Sequence, residues 1–157
     1  MTKKLSHINE AGQADMVDVS NKTASSRSAI AKGRVEFPEA AFNILSKQDF
    51  LGKKGSVVQT AVLAGIQGAK KTSELIPLCH QINLTKINLD IVPATNAFDI
   101  SCTVKCDGKT GVEMEALTGV SIAALTIYDM CKAVSHDIRI SAIELEQKTG
   151  GKNDFQR

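Results

Sequence analysis

The chain of 157 residues reads as an α+β protein, and three features of its pattern predict that class. Segments 83–93 and 97–106 alternate apolar and polar residues across a short turn, the signature of a β-hairpin. From Lys109 to Val134 apolar residues recur at helical spacing. The remaining elements run strand, two helices, hairpin, long helix, strand. Taking the two helices as one connection gives β-α-β-β-α-β, a ferredoxin-like sandwich whose antiparallel sheet carries its helices on one face.

In order along the chain, residues 1–28 are polar, rich in Ser and Ala and weakly patterned, as expected of a flexible arm or one that orders on a ligand. Within it MVDVS (16–20) is a candidate short strand. Lys22 and Arg27 are placed to reach a phosphate, the plainer reading being two solvated cations. AIAKGRVEF (29–37) carries Ile30, Val35 and Phe37 as a strand, and Pro38 opens the helix PEAAFNILSKQ. LGKKGS (51–56) is a basic loop bounded by glycines. In the next helix Val58, Val62, Ile66 and Ala69 recur at four, four and three, and the helix ends near Pro77. The hairpin strands place Leu84, Ile87, Leu89 and Ile91 against Phe98, Ile100, Cys102 and Val104, with ATN (94–96) between them. After the long helix, DIRISAIELEQK supplies a last strand, and TGGKNDFQR is expected to be a loop. No internal repeat or low-complexity block interrupts the chain, which is expected to form one domain over 1–157.

A hydrophobic content of 43% is enough for a sizeable core. A net charge of +2, with no Trp and one Tyr, argues against a basic nucleic-acid groove lined by stacking rings and favours a small anionic ligand. Cysteines 79, 102, 106 and 131 form no C-x-x-C pair and no zinc spacing with His7, His80 or His136, so reduced thiols in a cytoplasmic protein are expected. No run of 18 apolar residues and no apolar start mark a membrane span or a secretion signal.

The long helix carries an apolar stripe of Leu117, Val120, Ala124, Ile127, Cys131 and Val134. Inside or beside it sit Glu113, Glu115, Asp129 and Lys132, charges that are costly to bury unless paired or used. On ideal geometry Glu115 and Asp129 point about 40° apart, with Lys132 about 60° further round, yet Glu115 and Asp129 stand about 21 Å apart along the helix. One small-molecule site does not span that distance. Use of both ends implies sites shared across a two-fold axis, with one end from each subunit. The alternative is a local salt bridge from Asp129 to Lys132 at i, i+3.

Three lysine clusters, 53 with 54, 70 with 71, and 148 with 152, lie near loops or helix ends, where cations beside glycine-rich backbone can hold phosphate oxygens. Each alone equally describes a solvated surface. No Walker-type G-x-x-x-x-G-K-[ST] is present. In LIPLCH (75–80) the proline fixes the exit of an apolar helix and sets His80 at the rim of the core, as a donor to a ligand or as a satisfied structural histidine. Glu113, Asp129, Lys132 and His80 supply acids, bases and donors without a Ser or Cys triad, an inventory suited to moving protons on a phosphorylated substrate.

LSHINEAGQADMVDVS, AGIQGAKKTSELIPLCH, GKTGVEMEALTGVSIAALTIYDMCKAV and KTGGK, in this order, resemble the MoaC family, the cyclic pyranopterin monophosphate synthases of molybdenum cofactor biosynthesis. The likeness covers about residues 5 to 155. It implies a ferredoxin-like subunit in a homohexamer, a trimer of dimers with sites at dimer interfaces. The implied reaction converts 3′,8-cyclo-7,8-dihydro-GTP into cyclic pyranopterin monophosphate and releases pyrophosphate. By position, the resemblance makes Asp129, Lys132 and Lys54 catalytic. It makes Leu78, Cys79, His80, Glu113, Met114, Glu115, Lys148, Lys22 and Arg27 substrate-binding. The residues carry no metal-ligand motif, so no resident cofactor is expected, with Mg²⁺ possible on the triphosphate. The chain departs from the family pattern at Gln81, where proline is usual, and in GGKNDF, where GGKSGDF is usual. Two rival classes are a non-catalytic nucleotide-binding oligomeric module, indifferent to Asp129 and Lys132, and a purely structural oligomerisation subunit.

Overall fold

The computed structural model describes residues 7–9, 11–53 and 55–157. Their elements are β1 (Ser25–Glu36), α1 (Glu39–Ser46), β2 (Leu51–Gly52), β3 (Gly55–Ser56), α2 (Val57–Lys70), α3 (Thr72–Leu75), β4 (Leu84–Ala94), β5 (Ala97–Gly108), α4 (Glu113–Cys131), β6 (Arg139–Thr149) and β7 (Phe155–Gln156). The main sheet has the order β4-β5-β1-β6-β7 with every pair antiparallel. Its first four strands have the predicted ferredoxin-like order. β1 begins at Ser25, four residues inside the expected arm. MVDVS forms no strand, and the arm's one β-contact among the described residues is an isolated bridge of Ile8 with Ala14. The tail, expected to be a loop, adds β7 to the sheet edge by pairing Phe155 with Lys148.

Ala29, Ala31 and Val35 of β1 and Phe98, Ile100, Cys102, Val104 and Cys106 of β5 are buried on the helix side of the sheet. The other face carries ion pairs, Lys32 with Glu146 at 2.8 Å and Arg34 with both Asp99 and Glu36. An antiparallel sheet can meet water on such a face. Phe37, Phe42, Phe50 and Phe98 pack edge to face, with ring centroids as close as 4.7 Å, and anchor α1 and the β2–β3 hairpin at one end of the sheet.

α2 and α4 lie close together because the contact is made of small residues. A Cβ on Gly65 would sit 2.8 Å from the Gly119 carbonyl oxygen and 3.1 Å from Ala123. The deeply buried face of α2 is accordingly Val57, Ala61, Gly65, Gly68 and Ala69, while the larger Val58, Val62 and Ile66 lie half-buried at its flank. In α4, Val120, Ala124, Ile127 and Cys131 are buried as expected, and Ala116, Gly119 and Ala123 join them. Val134 lies past the helix end and is exposed. α4 is long and apolar enough to cross a membrane by composition, but half of that stretch is buried in the fold, where the helix forms the core.

Candidate active site

β1 begins, β5 and β6 end, and α4 begins at the same end of the sheet, opposite the phenylalanine cluster. There a cavity of about 330 Å³ is lined by Lys22, Arg27, Lys109, Lys148 and Lys152, with Glu113 as its one carboxylate among the described residues. A second cavity of about 230 Å³ shares Thr110, Gly111 and Glu113 with the first and continues to Leu78, Cys79, His80, Met114, Glu115 and His7. The two share one wall, the first cavity lined mainly by cations and the second by two carboxyls, two histidines and a thiol. The first turn of α4 borders it, adding the positive end of a helix dipole to the cationic half.

Several hydrogen bonds fix the walls. Arg27 Nε donates to the Gly108 carbonyl at 2.9 Å, holding the guanidinium between β1 and β5. Lys148 Nζ pairs with Glu113 Oε1 at 3.1 Å, across from the β6 end to the α4 start. Lys109 Nζ donates to the Ser20 carbonyl at 2.7 Å, and His80 Nε2 donates to the Val17 carbonyl at 2.7 Å. A carbonyl only accepts, so His80 Nε2 carries the hydrogen. These two bonds lay the arm along both halves of the cleft and bring Lys22 into the cationic one. Hydrogen bonds from Ser20 lower the Asp18 carboxyl below its usual range, with Lys109 adding to the effect.

Glu115 is the most perturbed acid of the site. It is 4% exposed, and its Oε2 has no hydrogen-bond partner among the described residues. Burial raises its pKa to about 7, the charge of Glu113 pushes the same way, and a bond from its own backbone N–H opposes both. Burial, with Glu115 adding, also raises the half-buried Cys79 thiol. Near neutral pH the inner half of the cleft thus holds a carboxyl able to give or take a proton beside a thiol that stays protonated.

At the other end of α4, Asp129 and Lys132 pair at 2.7 Å, with side chains 55% and 50% exposed. The i, i+3 salt bridge considered from the sequence is present. Asp129 raises the Lys132 pKa by a hydrogen bond and by its charge, which keeps the ammonium protonated. No three His, Cys, Asp or Glu side chains converge among the described residues.

The MoaC family's sequence profile matches residues 16–151. The chain belongs to the MoaC family. It is 53% identical over 152 residues to the cyclic pyranopterin monophosphate synthase of Campylobacter jejuni subsp. doylei, covering 96% of each chain. To the protein of that name from Helicobacter hepaticus it is 51% identical, covering 98% of each. Molybdenum cofactor biosynthesis protein 1 of Drosophila melanogaster is 48% identical over 98% of this chain, which spans 27% of that longer protein.

Of the residues that the MoaC resemblance singled out, the cleft brings together Lys22, Arg27, Leu78, Cys79, His80, Glu113, Met114, Glu115 and Lys148. It does not include Asp129 and Lys132, which stay at the far end of α4. Lys54 lies outside the described residues, as do Leu5, Ser6 and Glu10 of the N-terminal block. The cleft adds Lys109, Lys152 and His7. Lys109 stood in the GKTG block and Lys152 in a lysine pair, but neither carries a periodic or acid-base signal that separates it from a solvated lysine.

Proposed function

We propose that this chain is a cyclic pyranopterin monophosphate synthase, acting on 3′,8-cyclo-7,8-dihydro-GTP and releasing pyrophosphate. The observation that carries the reading is the division of the cleft. Lys22, Arg27, Lys109, Lys148 and Lys152 around a single carboxylate suit a triphosphate, and the adjoining half, with His80 and the buried Glu115, suits a guanine-derived ring system. A cyclic monophosphate product with pyrophosphate as by-product requires a substrate hydroxyl to displace the two outer phosphates at the inner phosphorus. Fixed cations stabilise the charge that develops on them. Opening and rebuilding the ring requires proton transfers from groups within hydrogen-bond reach.

Asp129, Lys132 and Lys54 are proposed as the acid-base centre, Asp129 and Lys132 reaching the cleft from a neighbouring subunit. The support is physical: about 21 Å of helix separates the cleft from Asp129 within one chain. A homohexamer built as a trimer of dimers, with sites at the dimer interfaces, meets that requirement. The working unit is the whole chain as one domain, placed in the cytoplasm. The reading uses no resident cofactor, any Mg²⁺ arriving with the triphosphate.

Purified protein incubated with the cyclised dihydro-GTP should release pyrophosphate over many turnovers and show no comparable activity on GTP. Folded oligomer that binds the substrate without forming product would instead make the chain a nucleotide-binding module, for which Asp129 and Lys132 are dispensable.

A further inference from the structure

The loop joining β6 to β7, residues 150–154, carries Lys152 and follows directly on Lys148 and Thr149, and both lysines line the cationic half of the cleft. The contacts that hold this loop lie outside the cavity. The Gly150 N–H donates to Asp154 Oδ1 at 3.0 Å, closing the loop on itself. Ser25 Oγ donates to the Gly150 carbonyl at 2.9 Å, tying the loop to the start of β1. Gly150 has a φ of 80°, and a Cβ there would lie 3.0 Å from the Ser26 carbonyl carbon and 3.2 Å from the Arg27 Cα. The loop therefore rests directly on the backbone that carries Arg27, in a conformation that favours glycine. Asp154 is exposed and is not among the residues lining the cavity.

We propose that Asp154 is a positioning residue for anion binding: by accepting the Gly150 N–H it fixes the loop so that Lys148 and Lys152 face the cavity with Arg27. The inference rests on reading that cavity as a triphosphate subsite. It makes a prediction opposite in sign to simple electrostatics. A carboxylate near a polyanion site repels the ligand, so its removal on charge grounds alone would tighten binding. A carboxylate that holds two cations in place weakens binding when its acceptor oxygen is lost. Asparagine separates the two effects, because it keeps an acceptor oxygen and drops the charge.

The test is calorimetric titration of inorganic triphosphate into the purified, assembled protein, using the parent, Asp154→Ala, Asp154→Asn, Lys152→Ala and the Lys152→Ala/Asp154→Ala double variant. Asp154→Ala should weaken binding about fivefold, the effect of one net hydrogen bond. Asp154→Asn should bind at least as well as the parent, and the effect of Asp154→Ala should shrink when Lys152 is already absent. With the nucleotide substrate, Asp154→Ala should raise KM and leave kcat near the parent value. Binding by Asp154→Ala as tight as the parent's, or equal weakening in Asp154→Ala and Asp154→Asn, overturns the positioning role and leaves the triphosphate subsite standing. A parent protein that does not bind triphosphate removes the subsite reading and the inference with it.

Discussion

The two ends of α4 carry similar acids in different surroundings. At its start Glu115 is 4% exposed, lines a cavity with Cys79 and His80, and adjoins one that is cationic. At its end Asp129 is 55% exposed and paired with Lys132, itself 50% exposed. Ideal helix geometry points Glu115 and Asp129 within about 40° of each other, so direction is not the main difference. Cover is. The strand ends and the arm that line the two cavities gather at the first end, whereas the Asp129–Lys132 pair at the second stands in solvent. A group whose proton chemistry depends on exclusion from water is complete in one subunit at the first end and needs a neighbouring surface at the second.

The largest effect expected from this contrast falls on the exposed end. Asp129→Ala should reduce pyrophosphate release by about 10²–10⁴-fold, the range for losing a general acid or base, while triphosphate binding stays at the parent level. Glu113→Ala, at the other end, should impair binding as well as turnover. If each site takes one end from each subunit, co-expressing the two variants yields mixed dimers with one doubly damaged site and one intact site. Activity then returns towards about half the parent value per mixed dimer. Isolation by two tags and assay of the mixed oligomer decides it. A verified mixture as inactive as either variant places both residues in the same subunit's contribution.

The fold was legible because its long elements obey simple periods. Leu89, Phe98, Ile100, Cys102 and Val104 alternate, and Val120, Ala124, Ile127 and Cys131 recur at helical spacing. What periodicity missed has a physical reason in each case. The buried face of α2 runs through Ala61, Gly65 and Gly68, residues too small to register as apolar but needed where two helix backbones come close. β7 has two residues and is specified by pairing and by the Asp154–Gly150 bond rather than by pattern. The cleft was legible through the family resemblance for Lys22, Arg27, His80, Glu115 and Lys148. Lys109 was not singled out, and Lys152 only as a member of one of three lysine clusters, since only the meeting of three strand ends and a helix start sets them apart from other surface lysines.

A second, smaller effect sharpens the contrast from the buried end. The folded pKa of Glu115 is raised to about 7 from an ordinary 4.5, so between those values the folded protein keeps a proton that the unfolded chain has released. This contribution to stability is fully present below about pH 4.5 and is lost as pH rises through 7, by on the order of 3 kcal/mol. Glu115→Gln cannot ionise and should become progressively more stable relative to the parent over that window, then hold a constant lead. Denaturant unfolding of both proteins at one concentration from pH 4.5 to 8 measures it. A gap that does not widen with pH shows that Glu115 is not held neutral by burial, and the distinction between the two ends loses its main support.

The smallest effect tests whether the buried carboxyl acts on its neighbour. Cys79 is half-buried, whereas Cys102, Cys106 and Cys131 are buried, with Cys102 pushed up to about 12 and Cys131 to about 11 by desolvation. Alkylation at mildly alkaline pH, read by mass spectrometry of the peptides, should therefore proceed first at Cys79. Burial raises its pKa most, and the Glu115 charge adds a smaller push in the same direction. Because Glu115 ionises near 7, that push is present at pH 8 and absent at pH 5. Glu115→Gln removes it, so the alkylation profile of Cys79 should move to lower pH and its rate at pH 8 should rise modestly, with the other three thiols unchanged. Asp129→Asn, at the open end of the same helix, should leave the Cys79 rate where it was, since about 21 Å of helix separates Asp129 from Glu115, the acid that acts on the thiol. Equal rates in the parent and Glu115→Gln would mean that the thiol and the carboxyl do not share one desolvated pocket, whatever their positions along the chain.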